Sequence, residues 1–262
     1  MKKTFFLASI LLFSISTQAQ LLDAIKSTVK DKTGVDLPNS SKTTSSSTTS
    51  TKKSTTSLNG LSSDQIASGL KEALNLGVTE GIEKLSATDG FYKNAAVKIL
   101  MPKELRTIDT KLRALGLGSL ADQGVKSLNR AAEDAVSEAA PIFANAITSM
   151  SITDASNLLL SSDNAATSYL QTKTQTQLFS AFEPKVQASL GKVGADVVWN
   201  NLITKYNKLT GQSVTTDIEE YVTTETINGV FKMVAEKEGD LRNNPVTRTT
   251  GTLQKVFGVL DK

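Results

Sequence analysis

The chain has 262 residues, with 29 basic and 26 acidic side chains and neither histidine nor cysteine. Without those two residue types, tetrahedral zinc sites, Ser-His-Asp and Cys-His nucleophile pairs, redox dithiols and haem attachment are excluded, so any catalysis would run on carboxylates, Lys, Tyr or an oxygen-ligated metal. The formal charge of +3 includes Lys2 and Lys3 of a segment expected to be removed; without them 27 basic residues face 26 acidic ones, which leaves no electrostatic footprint for nucleic acid.

The first residues, MKKTFFLASILLFSISTQAQ, place two lysines before an apolar run from Phe5 to Ile15 and then small or polar residues up to Ala19. That order reads as a secretory signal peptide over residues 1–19, too short to span a bilayer, with no cysteine behind it to carry a lipid. The expected address is the periplasm. Residues 20–33 put Leu21, Leu22, Ile25 and Val29 on one side of a short amphipathic helix, a candidate docking or membrane-surface element. Residues 34–58 are dominated by Ser, Thr and Lys; they cannot bury a core and are expected to form a disordered tether. The domain proper is expected over 59–262.

Ser62 with Gln65 forms a capping-box pattern ahead of Ile66, Leu70 and Leu74, and Gly77 reads as the stop of that helix. A second helix carries Val78, Ile82 and Leu85 to a turn at Asp89-Gly90, with Phe91 and Tyr92 filling the space beneath it. Pro102 can open a third helix, with Leu105, Ile108, Leu112 and Leu115 on one face. The longest helical run is Ser119 to Met150. Its apolar face holds Ala121, Val125, Leu128, Ala131, Ala132, Ala135, Ala139, Ile142, Phe143, Ala146 and Met150. Most of that face is small, which predicts close approach of a neighbouring helix. Charge on the opposite side stops near Glu138, so the first half is expected to meet water or a polar cleft, and the second half to be covered all round. Pro141 predicts a kink or a break near Ser137.

Ser151 and Asp154 can cap a helix over 152–160, and Asp163 starts another with Ala165, Ala166, Tyr169 and Leu170. Thr176 to Leu209 reads as two further helices, bent or broken at Pro184, Gly191 and Gly194, with Gly211 as their end. Asp217 opens a helix whose apolar stripe changes phase, which predicts a break at Thr223 and a new helix over 224–241, stopped by Asn243-Asn244-Pro245. A last helix is expected from Arg248 to Leu260. No alternating apolar-polar run of convincing length occurs, so the class is all-α, a single multi-helix domain around a long Ala-rich helix.

The segments LSSDQIASGLKEAL, TDGFYKN, LRALGLG, LNRAAEDA, ITDASNLL, DNAATSYL, DIEEYVTTE, FKMVAEKE and RNNPVTRTTGTLQKVFG run in order from Leu61 to Gly258. In that order they resemble the domain-of-unknown-function family 4197. The resemblance implies an exported, helical protein, with lipid-anchored relatives from which this cysteine-free chain departs; it implies no activity and no cofactor.

The polar residues within these segments are the candidate site. Asn129 and Glu133 share a helix face, Arg130 points further round, and Tyr221, Arg242, Arg248 and Thr249 come near the end of the chain. One reading is a solvated face with local pairs, Arg130 with Asp134 and Glu238 with Arg242. The sharper reading folds the RTT segment over the long helix, so that Arg130, Glu133, Arg242 and Arg248 meet and their spare guanidinium donors hold an anion, helped by Thr249 and Thr250 at a helix start. A buried network that is purely structural has the same sequence signature.

On that basis the favoured function is a non-catalytic envelope-associated protein that binds a small anionic ligand, a lipid or an envelope protein, with no metal and no nucleic acid. A carboxylate-based hydrolase or lyase using Glu133 and Asp154 is the second reading, and it requires both carboxylates in one cleft. A membrane-surface or self-assembling protein is the third.

Overall fold

A computed structural model describes residues 60–114, 118–192, 194–211, 213 and 217–261. The expected signal peptide, amphipathic helix and tether at 1–58 lie outside the described residues, as do Leu115 and the side chains of Ile108, Leu112, Val198, Leu202 and Tyr206.

Ser62 caps the first helix, α1, Ser63–Ser86, and its capping box with Gln65 is complete. No stop occurs at Gly77. That residue is buried against a later helix, where a Cβ would stand 3.3 Å from the Cβ of Lys237, so its role is close approach rather than termination. A segment without helix or strand, 87–102, follows. Pro102 then precedes a single 3-10 turn, Lys103–Leu105, which leads into α2, Arg106–Ala114.

The Ala-rich run divides as Pro141 predicts: α3, Gly118–Ala135, a 3-10 turn over Val136–Glu138, and α4, Ala139–Ser149. With the helix restarting at Ala139, Pro141 falls in a first turn, where its missing N–H has no intrahelical partner to lose. Most of the small-residue face is buried, with Leu128, Ala131, Ala132, Ala135, Ala139 and Phe143 fully covered and Val125, Ile142 and Ala146 half-buried. The expectation that the second half is covered all round is wrong, because Ser137, Ala140, Ala144 and Thr148 are exposed. Uncharged small residues on a helix surface satisfy helix propensity without being core.

The helix α5, Ile152–Leu159, begins with the Ser151–Asp154 capping box. Next, α6 runs unbroken from Ala165 to Lys192 through Thr176, Pro184 and Gly191. Leu170, Thr174, Leu178, Phe182, Val186 and Leu190 recur every fourth residue as its buried face, while Pro184 lies on the exposed side. Tertiary burial along the whole stripe outweighs the local penalty of the proline. Gly194 and Gly211 bound α7, Ala195–Thr210.

Asp217 caps α8, Ile218–Asn243, which passes through Thr223 without a break. Thr223 and Thr226 are both fully buried, and the Thr226 hydroxyl donates to the Val222 carbonyl. The stripe changes phase because α8 meets α6, α1 and α3 in turn, so it needs a broad apolar surface rather than one seam. The last helix, α9, is shorter than expected, Gly251–Phe257, capped by Thr250 and followed by a 3-10 turn over Gly258–Leu260. Arg248 and Thr249 precede it.

The core is continuous from Ile66 through Leu128, Phe143 and Phe182 to Phe257, with Phe143 and Phe231 edge to face at 5.7 Å. Trp199 is 98% covered, core rather than an exposed contact. The regular elements of the described residues are all helices, with no strand among them, and none of these helices is long and apolar enough to cross a membrane.

Candidate functional site

The family-like polar residues do not gather in one place. Arg130 and Glu133 lie in one network and Arg242 and Arg248 in another, and each network holds a different piece of backbone.

The second network joins helix ends. The Glu238 carboxylate accepts from the Ala166 and Thr167 backbone N–H groups at the start of α6, and from the Thr167 hydroxyl. Arg242, one turn on, donates to Glu238 and to the Leu158 and Leu159 carbonyls at the end of α5. A carboxylate thus meets the positive end of one helix while a guanidinium meets the negative end of the one before it, both favourable orientations. The expected Glu238–Arg242 pair exists, but it is buried rather than solvated, with side chains 2% and 3% exposed. Arg248 performs the same task for α8: it donates to the Leu241 and Arg242 carbonyls and makes a two-pronged ion pair with Asp261. That guanidinium holds the Asp261 carboxyl below its ordinary value. Thr249 is exposed and belongs to neither network, and the Thr250 hydroxyl donates to Glu72 on α1.

The first network clasps 87–102. Asn129 accepts from the Ile99 N–H and donates to the Ile99 carbonyl, completing both backbone groups as a neighbouring strand would. Glu133 accepts from the Phe91 and Tyr92 N–H groups, and Arg130 bridges Glu133 to Asp89. From α8, the Tyr221 hydroxyl donates to the Leu100 carbonyl and Lys232 to the Ala96 carbonyl. Gly229 makes room for the fully buried Phe91 ring, which a Cβ there would meet at 2.7 Å.

The Asp-Gly turn is as expected, with Asp89 at φ +68°, a conformation Asp tolerates better than most residues. Its carboxyl is held below the ordinary value chiefly by the hydrogen bond from Lys93, with Arg130 adding to it. Arg130 is raised, mainly by Glu133. The expected Arg130–Asp134 pair is replaced by these contacts, and Asp134 instead accepts from the Ser189 hydroxyl at 2.6 Å.

This geometry removes the arrangement in which Arg130, Glu133, Arg242 and Arg248 share an anion, because Arg130 is bonded to Glu133 and Asp89 while Arg242 and Arg248 are bonded to carboxylates and carbonyls at helix ends. It also separates Glu133 from Asp154. Glu133 is 5% exposed and committed to the clasp, whereas Asp154 is exposed and closes the cap of α5. Among the described residues no group of acidic side chains is placed to hold a metal.

The opposite side of the clasped segment is open. Burial alternates along it, with Val97, Ile99 and Met101 inside while Leu100 is 52% exposed and Lys98 half-buried, the pattern of extended backbone. Tyr92, Lys98, Leu100 and Met101 form one wall of a groove of about 370 Å³. Arg106, Asp109 and Arg113 of α2 form another, and Asp122 and Val125 of α3 close it. The Lys98 ammonium sits 4.2 Å from the Tyr92 ring centroid. Arg113 bridges Asp109 at 3.0 Å and Asp122 at 2.6 Å, and its pKa is raised, mainly by Asp122.

None of these groove residues stood among the candidates drawn from sequence. The available signal was the stretch from Thr88 to Leu100 itself, which is longer than most connections in compact domains. Four of the seven candidates, Asn129, Arg130, Glu133 and Tyr221, turn out to be what holds that segment in place. Arg242 and Arg248 hold helix ends, and Thr249 holds neither.

No curated protein and no solved structure matches the chain. The family described as "Protein of unknown function (DUF4197)" matches residues 60–258, from ahead of α1 to the end of α9 and including every clasping and capping side chain above, and the chain belongs to that family.

Proposed function

We propose that this is a non-catalytic binding protein, exported to the periplasm, in which the helices present the 87–102 segment and its groove to a small ligand. The observation that carries the reading is the number of side chains committed to an irregular segment: the buried Asn129 and Glu133, the half-buried Arg130 and Tyr221 and the exposed Lys232 all bond to it. An irregular segment on a rigid support is the usual way to present a recognition surface. The groove volume lies within the range of small-molecule sites, roughly 300–1,000 Å³. Export rests on the order of charged, apolar and small residues in 1–19. The carboxylate-based reading has lost its support, since Glu133 and Asp154 serve different elements.

The test is a thermal-shift screen of the chain from Gln20 onward against periplasmic metabolites, anionic lipids and divalent metals, repeated on Tyr92→Ala and Leu100→Ser. Saturable stabilisation that either substitution abolishes is the expected result. Stabilisation that survives both places binding elsewhere, and a wild type that no compound shifts counts against small-ligand binding.

A further inference from the structure

We propose that the groove beside the clasped segment selects an anionic amphiphile: one phosphate or carboxylate head against Lys98 and Arg106, and a short apolar portion over Leu100, Met101 and Val125. This rests on the reading of the groove as the binding surface and names the chemistry it takes.

Charge selection follows from which groups are already engaged. Both groove carboxylates, Asp109 and Asp122, are bound to the Arg113 guanidinium. Three cations against two anions leave the groove net positive, and the excess falls on Lys98 and Arg106. Lys98 lies over the Tyr92 ring, which fixes its position while leaving ammonium donors for an acceptor. Arg106 is exposed at the start of α2, and among the described residues its guanidinium makes no hydrogen bond or ion pair. A cation at a helix start works against the helix dipole, so its position is unfavourable for the helix and favourable for an incoming anion. The planar fork of five N–H donors on a guanidinium matches a phosphate or carboxylate in two-pronged fashion.

The apolar half follows from the alternation at 97–101. Leu100 is 52% exposed although its neighbours Ile99 and Met101 are buried, and the Tyr221 bond to its carbonyl holds it outward. Val125 is half-buried on the facing helix, so an alkyl or aryl group lying between them would cover surface that water now touches. A comparable hollow of about 360 Å³ between α1 and α9 lacks this asymmetry, since its Lys255 is matched by Asp64.

The test is calorimetric titration of the mature chain with n-hexyl phosphate, inorganic phosphate and n-hexanol. The proposal expects saturable binding of hexyl phosphate at least tenfold tighter than either fragment probe. That affinity should fall at least tenfold in Arg106→Ala and in Lys98→Ala, and be unchanged in Lys84→Ala on the exposed side of α1. Inorganic phosphate binding as tightly as hexyl phosphate overturns the apolar half, and hexanol binding as tightly overturns the anionic half. Equal weakening by Lys84→Ala shows general charge attraction and overturns the site.

Both groove substitutions are of surface side chains, and Arg106→Glu, which should abolish binding without loss of helical circular dichroism, guards against a folding artefact. If hexyl phosphate fails while a neutral or cationic compound from the screen still depends on Tyr92 and Leu100, the ligand class is wrong and the binding surface stands; if nothing depends on those residues, both fall. Once hexyl phosphate binds, co-sedimentation with phosphatidylglycerol vesicles, competed by hexyl phosphate and lost in Arg106→Ala, assigns the head to a lipid. Absence of co-sedimentation assigns it to a free metabolite.

Discussion

Two regions of this molecule use the same side chains for different ends. At the junction of α5 and α6, Glu238 and Arg242 are sealed inside and complete the polar groups of two helix termini. At the 87–102 segment, Glu133, Arg130 and Asn129 also bond to backbone, but the backbone they hold faces water on its other side. In the first region the polar groups bond to the ends of two helices. In the second, Lys98, Leu100 and Arg106 are left facing outward, and the scaffold has a surface to display. What separates the two networks is therefore what the held element exposes, not the residue types that hold it.

The largest expected effect lies at the sealed junction. Glu238→Gln removes the charge but keeps the shape, leaving Arg242 buried without its counter-ion; a loss of about 3–5 kcal/mol is expected from equilibrium denaturation. A loss under about 1 kcal/mol would mean that the junction is hydrated, and the contrast would disappear.

Asn129→Ala comes next. It strands the N–H and carbonyl of Ile99, each expected to cost about 1–3 kcal/mol. Its distinctive signature is local: hydrogen exchange should accelerate at residues 91–101 while α6 and α8 keep their protection. Uniform acceleration would show that the segment unfolds only with the whole domain.

Smaller still is the pH effect at Asp89. Its carboxyl lies below the ordinary value of 3.8 in the folded chain, so its contribution is complete above that value and is lost as pH falls through the lowered folded one. Asp89→Asn keeps a residue that tolerates positive φ, and should lower the melting temperature at neutral pH, with the difference from wild type closing under strong acid. A difference that persists in acid would assign the effect to the backbone rather than to the charge.

The smallest expected change is Arg106→Ala, within about 0.5 kcal/mol of the wild type. A larger loss would make Arg106 part of the scaffold and remove it from the groove.

Much of the fold was legible beforehand. The all-helical class, the caps at Ser62, Ser151 and Asp217, the end at Gly211 and the break beside Pro141 are local features, set by a residue and its neighbours within one turn. The misreadings at Gly77, Thr176, Pro184 and Thr223 share one cause. Each carries a local signal against helix continuity, and each is overridden because a long helix buries a continuous face against several partners.

The candidate residues were legible only as a set. Asn129, Glu133, Glu238 and Arg242 stood out only as polar residues within the family-like segments. Whether such groups face a ligand or another stretch of chain depends on contacts between residues 30 to 84 positions apart, such as Asn129 with Ile99 and Arg242 with Leu158.

The helical class, most helix starts and the excluded chemistries could be read from the residues alone. That these residues serve two networks instead of one, and that the open groove lies beyond the segment they hold, follows from how the helices pack. Helix periodicity and capping are read within a few residues, where the physics is local, whereas the destination of a buried hydrogen bond is set by which elements pack together.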